Sequence, residues 1–314
     1  MKLVVTIPAY NEEHTIGRVI DEIPKKIPGV SEIQVVVVDD GSTDRTFGIA
    51  RKKGALVIRN KQNIGLAKSF KKGMEKALEL GADAMVNTDA DCQYNQKEIP
   101  KLIGPILAGR ADVVLSYREV LSLSHMPLHK KIGNSLATLI TRLVSGYPVK
   151  DAQSGFRAFS REAMMRLVIL SDYTYVQETI MESVFKGLAI EQVQCEFRER
   201  TGGKSRLISN IWDYAQRAGI TILRTFTYYK PLRVFMGIGL ALLIAGMLTG
   251  ARVLMHYMET GRVTPYVPSA ILTAILLIVG FQIIVLGLIA DTMDAGRRVS
   301  EEILYRLKKQ QLEK

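Results

Sequence analysis

Hydrophobic positions come in two textures along this chain. Up to about residue 117, short β-branched runs alternate with stretches in which apolar residues recur every three or four positions. The short runs predict strands near 3–7, 33–39, 55–58, 84–88 and 112–117. The periodic stretches predict helices near 12–26, 43–53, 65–80 and 97–108. Runs such as Val35-Val36-Val37-Val38 are apolar without alternation, as in strands covered on both faces. The expectation is an α/β fold, a mainly parallel sheet with helices on both faces. No G-x-G-x-x-G follows the first strand, which argues against a Rossmann dinucleotide site. No internal repeat or low-complexity segment is visible.

The second texture begins after residue 230. Val234 to Ala251 is broken only by Thr249, and Val267 to Ala290 has Gln282 as its only strongly polar member. Both runs are long enough to cross about 30 Å of hydrocarbon, which predicts two transmembrane helices at about 232–251 and 267–290. Between them and the sheet, residues 207–230 place Ile208, Ile211, Trp212, Ala215, Ile220, Leu223 and Phe226 at helical spacing. A core helix has the same pattern, but a position directly before a span, with Trp212, Tyr214, Tyr228 and Tyr229, favours one lying in the membrane interface. Residues 130–145 fit a lipid-touching helix and a core helix equally well. The division expected is 1–206 for a catalytic domain, 207–230 for an interface helix, 231–290 for the spans and 291–314 for a basic tail.

Charge sharpens this picture. The chain of 314 residues carries a formal net charge of +11, and much of it lies beside the spans. Eight Lys or Arg fall between Arg198 and Arg233, against Glu199 and Asp213, and Arg297, Arg298, Arg306, Lys308 and Lys309 follow in the tail. A basic collar beside spans attracts anionic headgroups, whereas no motif supports nucleic-acid binding. Two spans put both ends on one side, and the positive-inside rule makes that side cytoplasmic, although Arg252 and Arg262 in the connecting loop weaken the bias. The expected location is therefore an integral membrane protein with its catalytic domain and both termini in the cytoplasm. The first residues run straight into Pro8-Ala9-Tyr10-Asn11 and read as a strand, not as a signal peptide. Cys92 and Cys195 form neither a disulfide framework nor a zinc set and read as free thiols.

Three predicted strands end in polar or acidic clusters: Tyr10-Asn11-Glu12-Glu13, Asp39-Asp40-Gly41-Ser42 and Asp89-Ala90-Asp91-Cys92-Gln93. Strand ends along one rim are where open α/β sheets bind ligands. Oxygen donors suit Mg²⁺ or Mn²⁺. A D-x-D pair alone is weak evidence; three such ends on one sheet make a site. Asp91 is the best metal ligand, Gln93 lies two residues on along the same side of an extended chain, and Asp89 either binds the ion or orients a ligand beside it. Asp39-Asp40-Gly41-Ser42 also reads as a turn with a helix N-cap, and the two readings are compatible.

The series IPAYNEE, VVVVDDGSTD, NIGLAKSF, DADCQ and DAQSGFR, followed by RTGGKSR, resembles family 2 glycosyltransferases of the dolichol-phosphate mannose synthase type. The likeness runs in order from about residue 3 to about residue 207 and continues more loosely into the apolar segments. It implies a GT-A nucleotide-sugar-binding fold and an inverting, metal-dependent transfer of one hexose to dolichyl or polyprenyl phosphate. In that family Asp89, Asp91 and Gln93 surround the metal. Positions matching its nucleotide-sugar contacts are Pro8, Tyr10, Glu12, Val38, Asp39 and Asp40, then Gly65, Asp89, Ala90 and Asp91, and finally Arg118, Arg200 and Arg206. Acceptor phosphate is expected near Arg118, Lys130, Lys131, Arg200 and Ser205. Arg206 stands where many relatives have Lys, and Cys92 replaces a more usual apolar residue.

A phosphate monoester with a second pKa of about 6 is already ionised near neutral pH. Asp151 and Glu178 are then expected to orient sugar hydroxyls or Arg side chains instead of acting as a strong base. His14, His125, His129 and His256 lie outside every motif. Two rivals compete with this reading. A processive polysaccharide synthase would carry Q-x-x-R-W, but the sole tryptophan, Trp212, follows Ile211. A non-catalytic subunit of a lipid-glycan pathway would not need intact Asp89, Asp91, Arg200 and Arg206. The donor stays open among GDP-mannose, UDP-glucose and UDP-N-acetylglucosamine, with YTYVQET leaning slightly away from mannose. The partners expected are the donor, the lipid phosphate and the bilayer, with the spans offering a surface for a homo-oligomer.

Overall fold

The structure is a computed structural model that describes residues 1–120, 126–169, 175–199 and 231–312, without the side chains of residues 129 and 130. The chain forms two compact units, residues 1–209 with 302–314, and residues 210–301.

The first unit is built on seven strands: β1 (Lys2–Ala9), β2 (Glu32–Asp39), β3 (Leu56–Arg59), β4 (Ala84–Asn87), β5 (Val113–Tyr117), β6 (Arg157–Ser160) and β7 (Ile190–Gln194). Their order across the sheet is β3-β2-β1-β4-β6-β5-β7. β6 runs antiparallel to both its neighbours, β4 and β5; every other pairing is parallel. Period-two alternation sorts β1 between two cores: Leu3, Val5 and Ile7 belong to one face and Val4 to the other. Because both faces are covered, these strands read as continuous apolar runs.

Helices α1 (Ile16–Glu22), α2 (Thr46–Lys52) and α4 (Ile99–Leu107) contribute to the first core. α3 (Leu66–Glu79), α6 (Arg161–Arg166) and α7 (Val176–Phe185) contribute to the second. α3 shows why: Phe70, Gly73, Met74, Ala77 and Leu78 fall on its buried stripe at spacings of three and four. Gly73 packs so closely that a Cβ there would meet Thr6 Cβ at 3.3 Å. The long helix α5 (Leu128–Ser145) is different, since Leu128, Ile132, Leu136, Leu139 and Leu143 recur along it and all are exposed. The stretch that fitted core and lipid equally thus keeps most of its apolar stripe out of the core.

In the second unit, α8 (Pro231–Thr260) and α9 (Val267–Leu312) are long and apolar enough to cross a membrane. They meet at small residues. A Cβ on Gly239 would stand 2.8 Å from the Gly280 carbonyl oxygen, and one on Gly287 would stand 2.7 Å from Phe235 Cβ. Thr273 donates a hydroxyl hydrogen bond to Thr249 at 2.9 Å. Small residues and interhelical hydroxyl bonds are what hold apolar helices together in lipid, where burial of oil in oil supplies no driving force. Leu248, Phe281 and many others point outward.

The stretch expected to be a tail, 291–314, continues α9 as far as Leu312. Its last turns belong to the first unit. Tyr305 donates to Glu162 at 3.1 Å, its ring lies 5.1 Å from the Arg166 guanidinium, and Leu312 packs on the second core.

Candidate active site

Topology brings the site together. The carboxyl ends of the parallel strands β1, β2, β4, β5 and β7 reach one edge of the sheet. β6 runs the other way, so the segment that precedes it, Asp151-Ala152-Gln153-Ser154-Gly155-Phe156, arrives at that same edge. In register, Arg157 stands between Asn87 of β4 and Leu115 of β5.

After β4 the chain alternates in burial. Ala90, Cys92 and Tyr94 are buried in the core, while Asp89, Asp91 and Gln93 between them are only partly covered. The alternation leaves Asp89, Asp91 and Gln93 partly open, although the segment turns here and does not run extended as the sequence reading had it. Cys92 takes a φ of +62°, which tightens the turn, and the Gln93 amide donates to Asp91 Oδ1 at 3.1 Å. Among the described residues no three His, Cys, Asp or Glu converge on one point. The donors here are two carboxylates and an amide oxygen. This all-oxygen set fits a hard divalent cation, Mg²⁺ or Mn²⁺.

Asp89 is hemmed by buried partners. A Cβ on Gly155 would lie 3.2 Å from Asp89 Oδ1 and 2.9 Å from the Tyr175 hydroxyl. Tyr175 accepts a hydrogen bond from Asn87 Nδ2 at 2.7 Å and stacks on Phe70. Tyr94 accepts from the Gly155 amide at 2.9 Å. Burial pushes both tyrosines above the usual phenol range, and the Asp89 charge adds to it, so both stay protonated.

Arg118 follows β5 and is gripped by Asp151: Nε to Oδ2 at 2.6 Å and Nη2 to Oδ1 at 3.2 Å. The Phe197 ring lies 4.7 Å from its guanidinium. Burial works against the Arg118 charge, but the acidic groups around it, Asp151 and Asp89 among them, outweigh burial and hold its pKa above the ordinary value. Phe197 itself bridges to Tyr94, and Arg198 N–H donates to the Gln93 carbonyl at 2.7 Å. The run leading to Arg200 is therefore bonded beside Gln93.

The expected nucleotide residues divide into two groups. Asp40 holds the loop before α3, with Oδ1 accepting from Asn60 Nδ2 and Ile64 N–H and Oδ2 from Gly65 N–H, at 2.8, 2.9 and 2.9 Å. Gly65 uses a φ of +98° there, and Gly41 sits where a Cβ would be 2.6 Å from the Gln62 backbone. Asp39 is fully buried; its Oδ1 accepts from Ser42 N–H at 3.0 Å, and its Oδ2 makes no hydrogen bond and lies 3.2 Å from Arg59 Nε. Val38 and Ala90 put their side chains in the core, so only their backbones can meet a ligand. Pro8 is buried at the end of β1, and Tyr10 beyond it is partly open. Glu12 accepts from Thr15 Oγ1 at 2.9 Å. Glu178 lies in the first turn of α7 and Lys131 in that of α5. Arg200, Ser205, Arg206 and the whole of 207–230 lie outside the described residues, as does the Lys130 side chain.

The sequence reading gave no role to Asn87, Tyr94, Tyr175 or Phe197, and left Arg157 unassigned within DAQSGFR. Tyr175 and Arg157 sat inside motifs, whereas Asn87, Tyr94 and Phe197 lay outside them. Cys195 is buried, with its thiol pushed up to about 12, and is not a reactive group.

Residues 4–168 match the family model described as Glycosyl transferase family 2, and residues 230–295 match the GtrB C-terminal hairpin. The UDP-N-acetylglucosamine–dolichyl-phosphate N-acetylglucosaminyltransferase of Methanococcus voltae is 35% identical, over 52% of this chain and 70% of its own. The low-salt glycan biosynthesis hexosyltransferase Agl6 of Haloferax volcanii is 31% identical, over 91% of this chain and 67% of its own. Among solved structures, glucosyl-3-phosphoglycerate synthase of Mycobacterium tuberculosis, in complex with Mn²⁺, UDP-glucose and phosphoglyceric acid, superposes with a TM-score of 0.55. It is 25% identical, covering 72% of this chain and 78% of that one.

Proposed function

Because the chain belongs to glycosyl transferase family 2, we propose that it moves one hexose from a nucleotide sugar to the phosphate of a dolichyl or other polyprenyl phosphate. The observation that carries this reading is the pairing of two charge sets on one sheet edge. Asp89, Asp91 and Gln93 open toward it in alternation with buried neighbours, and Arg118, braced by Asp151, lies at the end of β5. The names of the Methanococcus and Haloferax relatives, and the apolar hairpin shared with GtrB, support a lipid-linked acceptor. The exposed apolar stripe of α5 adds a face on the catalytic unit that suits a lipid surface.

In the proposed reaction a phosphate oxygen of the lipid attacks the anomeric carbon from the face opposite the leaving group. The bond from that carbon to the diphosphate breaks, the configuration inverts, and the nucleoside diphosphate departs with the bonding pair. Asp91 and Gln93, with Asp89, would hold Mg²⁺ or Mn²⁺, which supplies Lewis-acid stabilisation of the departing charge. Arg118 carries a fixed positive charge toward phosphate, and Asp151 fixes its plane. Pro8, Tyr10, Glu12 and Asp39 line the base and ribose end. Arg200, Arg206 and Ser205 complete the phosphate site, with Lys131 and Lys130 beside it. Glu178 orients sugar hydroxyls. The catalytic unit and both ends lie in the cytoplasm, where nucleotide sugars occur.

The test is transfer by purified protein from UDP-glucose, UDP-N-acetylglucosamine and GDP-mannose to one polyprenyl phosphate. One donor should give a lipid-linked product that EDTA suppresses and Mg²⁺ or Mn²⁺ restores. Asp91→Asn should cost orders of magnitude in turnover with an unchanged melting profile. Nucleotide release without lipid product, or full turnover in EDTA, rules the reading out.

A further inference from the structure

Arg157 is a fully buried guanidinium whose hydrogen-bond partners among the described residues are all neutral. Nε donates to the Ser154 carbonyl at 2.8 Å, Nη2 to the Ala152 carbonyl at 3.3 Å, and Nη1 to the Thr179 hydroxyl at 2.5 Å and to the Val176 carbonyl. Burial lowers its pKa to about 10, so it stays cationic at neutral pH. The Asp151 and Asp89 charges favour it from nearby, but none of the bonds just named goes to an anion, and an ion at that depth without a bonded anion is costly. A neutral side chain would fill the same volume without that cost, so the charge and its fork of donors have a purpose beyond packing.

The purpose follows from peptide geometry. In a trans peptide the carbonyl and the next N–H point in opposite directions, and no cis bond occurs in this loop. By drawing in the carbonyls of Ala152 and Ser154, Arg157 turns the N–H groups of Gln153 and Gly155 the other way. Those two N–H groups land on the machinery already described: Gln153 N–H donates to Asp151 Oδ1 at 2.9 Å, and Gly155 N–H to the Tyr94 hydroxyl at 2.9 Å. Asp151 grips Arg118, and Gly155 backs Asp89. The other end of the fork reaches α7, whose first turn holds Glu178.

We propose that Arg157 is a positioning residue for glycosyl transfer: it folds the 151–156 loop so that Asp151 presents Arg118, and Gly155 seats Asp89, in the geometry the transfer requires. The inference rests on the transfer reading above. It touches no substrate and acts through Asp151 and Asp89. The base and ribose end, at β1 and β2, is built from other elements and does not depend on it.

The experiment compares wild type, Arg157→Lys, Asp151→Asn and the double variant, using whichever donor the wild type turns over. Lysine keeps the charge but cannot span the four acceptors. Arg157→Lys should lower kcat about tenfold or more, while inhibition by the matching nucleoside monophosphate stays within about threefold of wild type. The double variant should fall little below the worse single one, because both changes release the same Arg118. A kcat within about twofold of wild type, kcat losses that multiply, or nucleotide inhibition that weakens in step with kcat overturns the proposal. Should Arg157→Lys fail to fold, Thr179→Val withdraws one acceptor and is judged by the same kcat and inhibition criteria. A wild type inert with every donor counts against the transfer reading alone. The cycle is then read as unfolding midpoints, where non-additivity supports the Arg157–Asp151 link and additivity overturns it.

Discussion

Asp151 spends both carboxylate oxygens on Arg118, and neither group is open to bulk water: the side chains are 0% and 9% exposed. Removing one partner of such a pair leaves the other buried and unpaired, which costs about 3–5 kcal/mol. Asp151→Ala should therefore destabilise the catalytic unit by roughly that amount, measured by denaturant unfolding. Asp151→Asn, which keeps the shape and still accepts a hydrogen bond, should cost clearly less. Equal losses in the two variants would mean that packing, not charge, holds Arg118.

Gly155 is there for want of space. Alanine would place its methyl 2.9 Å from the Tyr175 hydroxyl and 3.2 Å from Asp89 Oδ1. Overpacking of this kind costs about 1–3 kcal/mol, and one of the two groups it presses on is the Asp89 carboxylate, at the partly covered edge of the site. Gly155→Ala should lose turnover much more than stability. A variant with wild-type kcat would show that Asp89 has slack in its position.

The strands and the D-x-D set were legible in the sequence for the same reason. β1, β2 and β4 each contain buried apolar residues at consecutive positions, as strands covered on both faces do, and an apolar run that stops in carboxylates marks a sheet edge. β6 and β7 escaped notice because Arg157-Ala158-Phe159-Ser160 and Ile190-Glu191-Gln192-Val193-Gln194 mix polar with apolar residues over four and five positions. That omission hid the reversal that carries 151–156 to the site. Asp40, expected at the nucleotide, also accepts from the amides of Ile64 and Gly65, far along the chain, and no local pattern signals such a bond. Arg157 stood in DAQSGFR without a role, because burial of a cation is a property of the packed fold.

The far end of α9 offers a stability prediction. Tyr305 bonds the Glu162 carboxylate from a half-buried position, beside the Glu162–Arg166 ion pair. Tyr305→Phe keeps the ring on Arg166 and removes only the hydroxyl, a loss of about 0.5–1.5 kcal/mol. Truncation after Glu301 removes the ring and Leu312 as well and should lower the melting temperature further. An unchanged melting profile in the truncated protein would mean that this contact contributes nothing to the catalytic unit.

The pH dependence separates a protein base from a substrate that ionises by itself. Both oxygens of Asp151 are already committed, to Arg118 and to the Gln153 amide. If the lipid phosphate is its own nucleophile, the rate should rise with pH through the second phosphate pKa, about 6, and then level off. Below that pH the monoanion dominates and transfer slows, whichever carboxylate is present. Asp151→Asn and Glu178→Gln should lower the plateau through misplaced groups but leave the acidic limb where it is. A polyprenyl alcohol, with no phosphate to ionise, should give no product at any pH tested. The measurement is the pH–rate profile of both amide variants beside wild type with one acceptor. If either variant loses the acidic limb, that carboxylate is the general base and ionisation of the substrate is not what sets the rate.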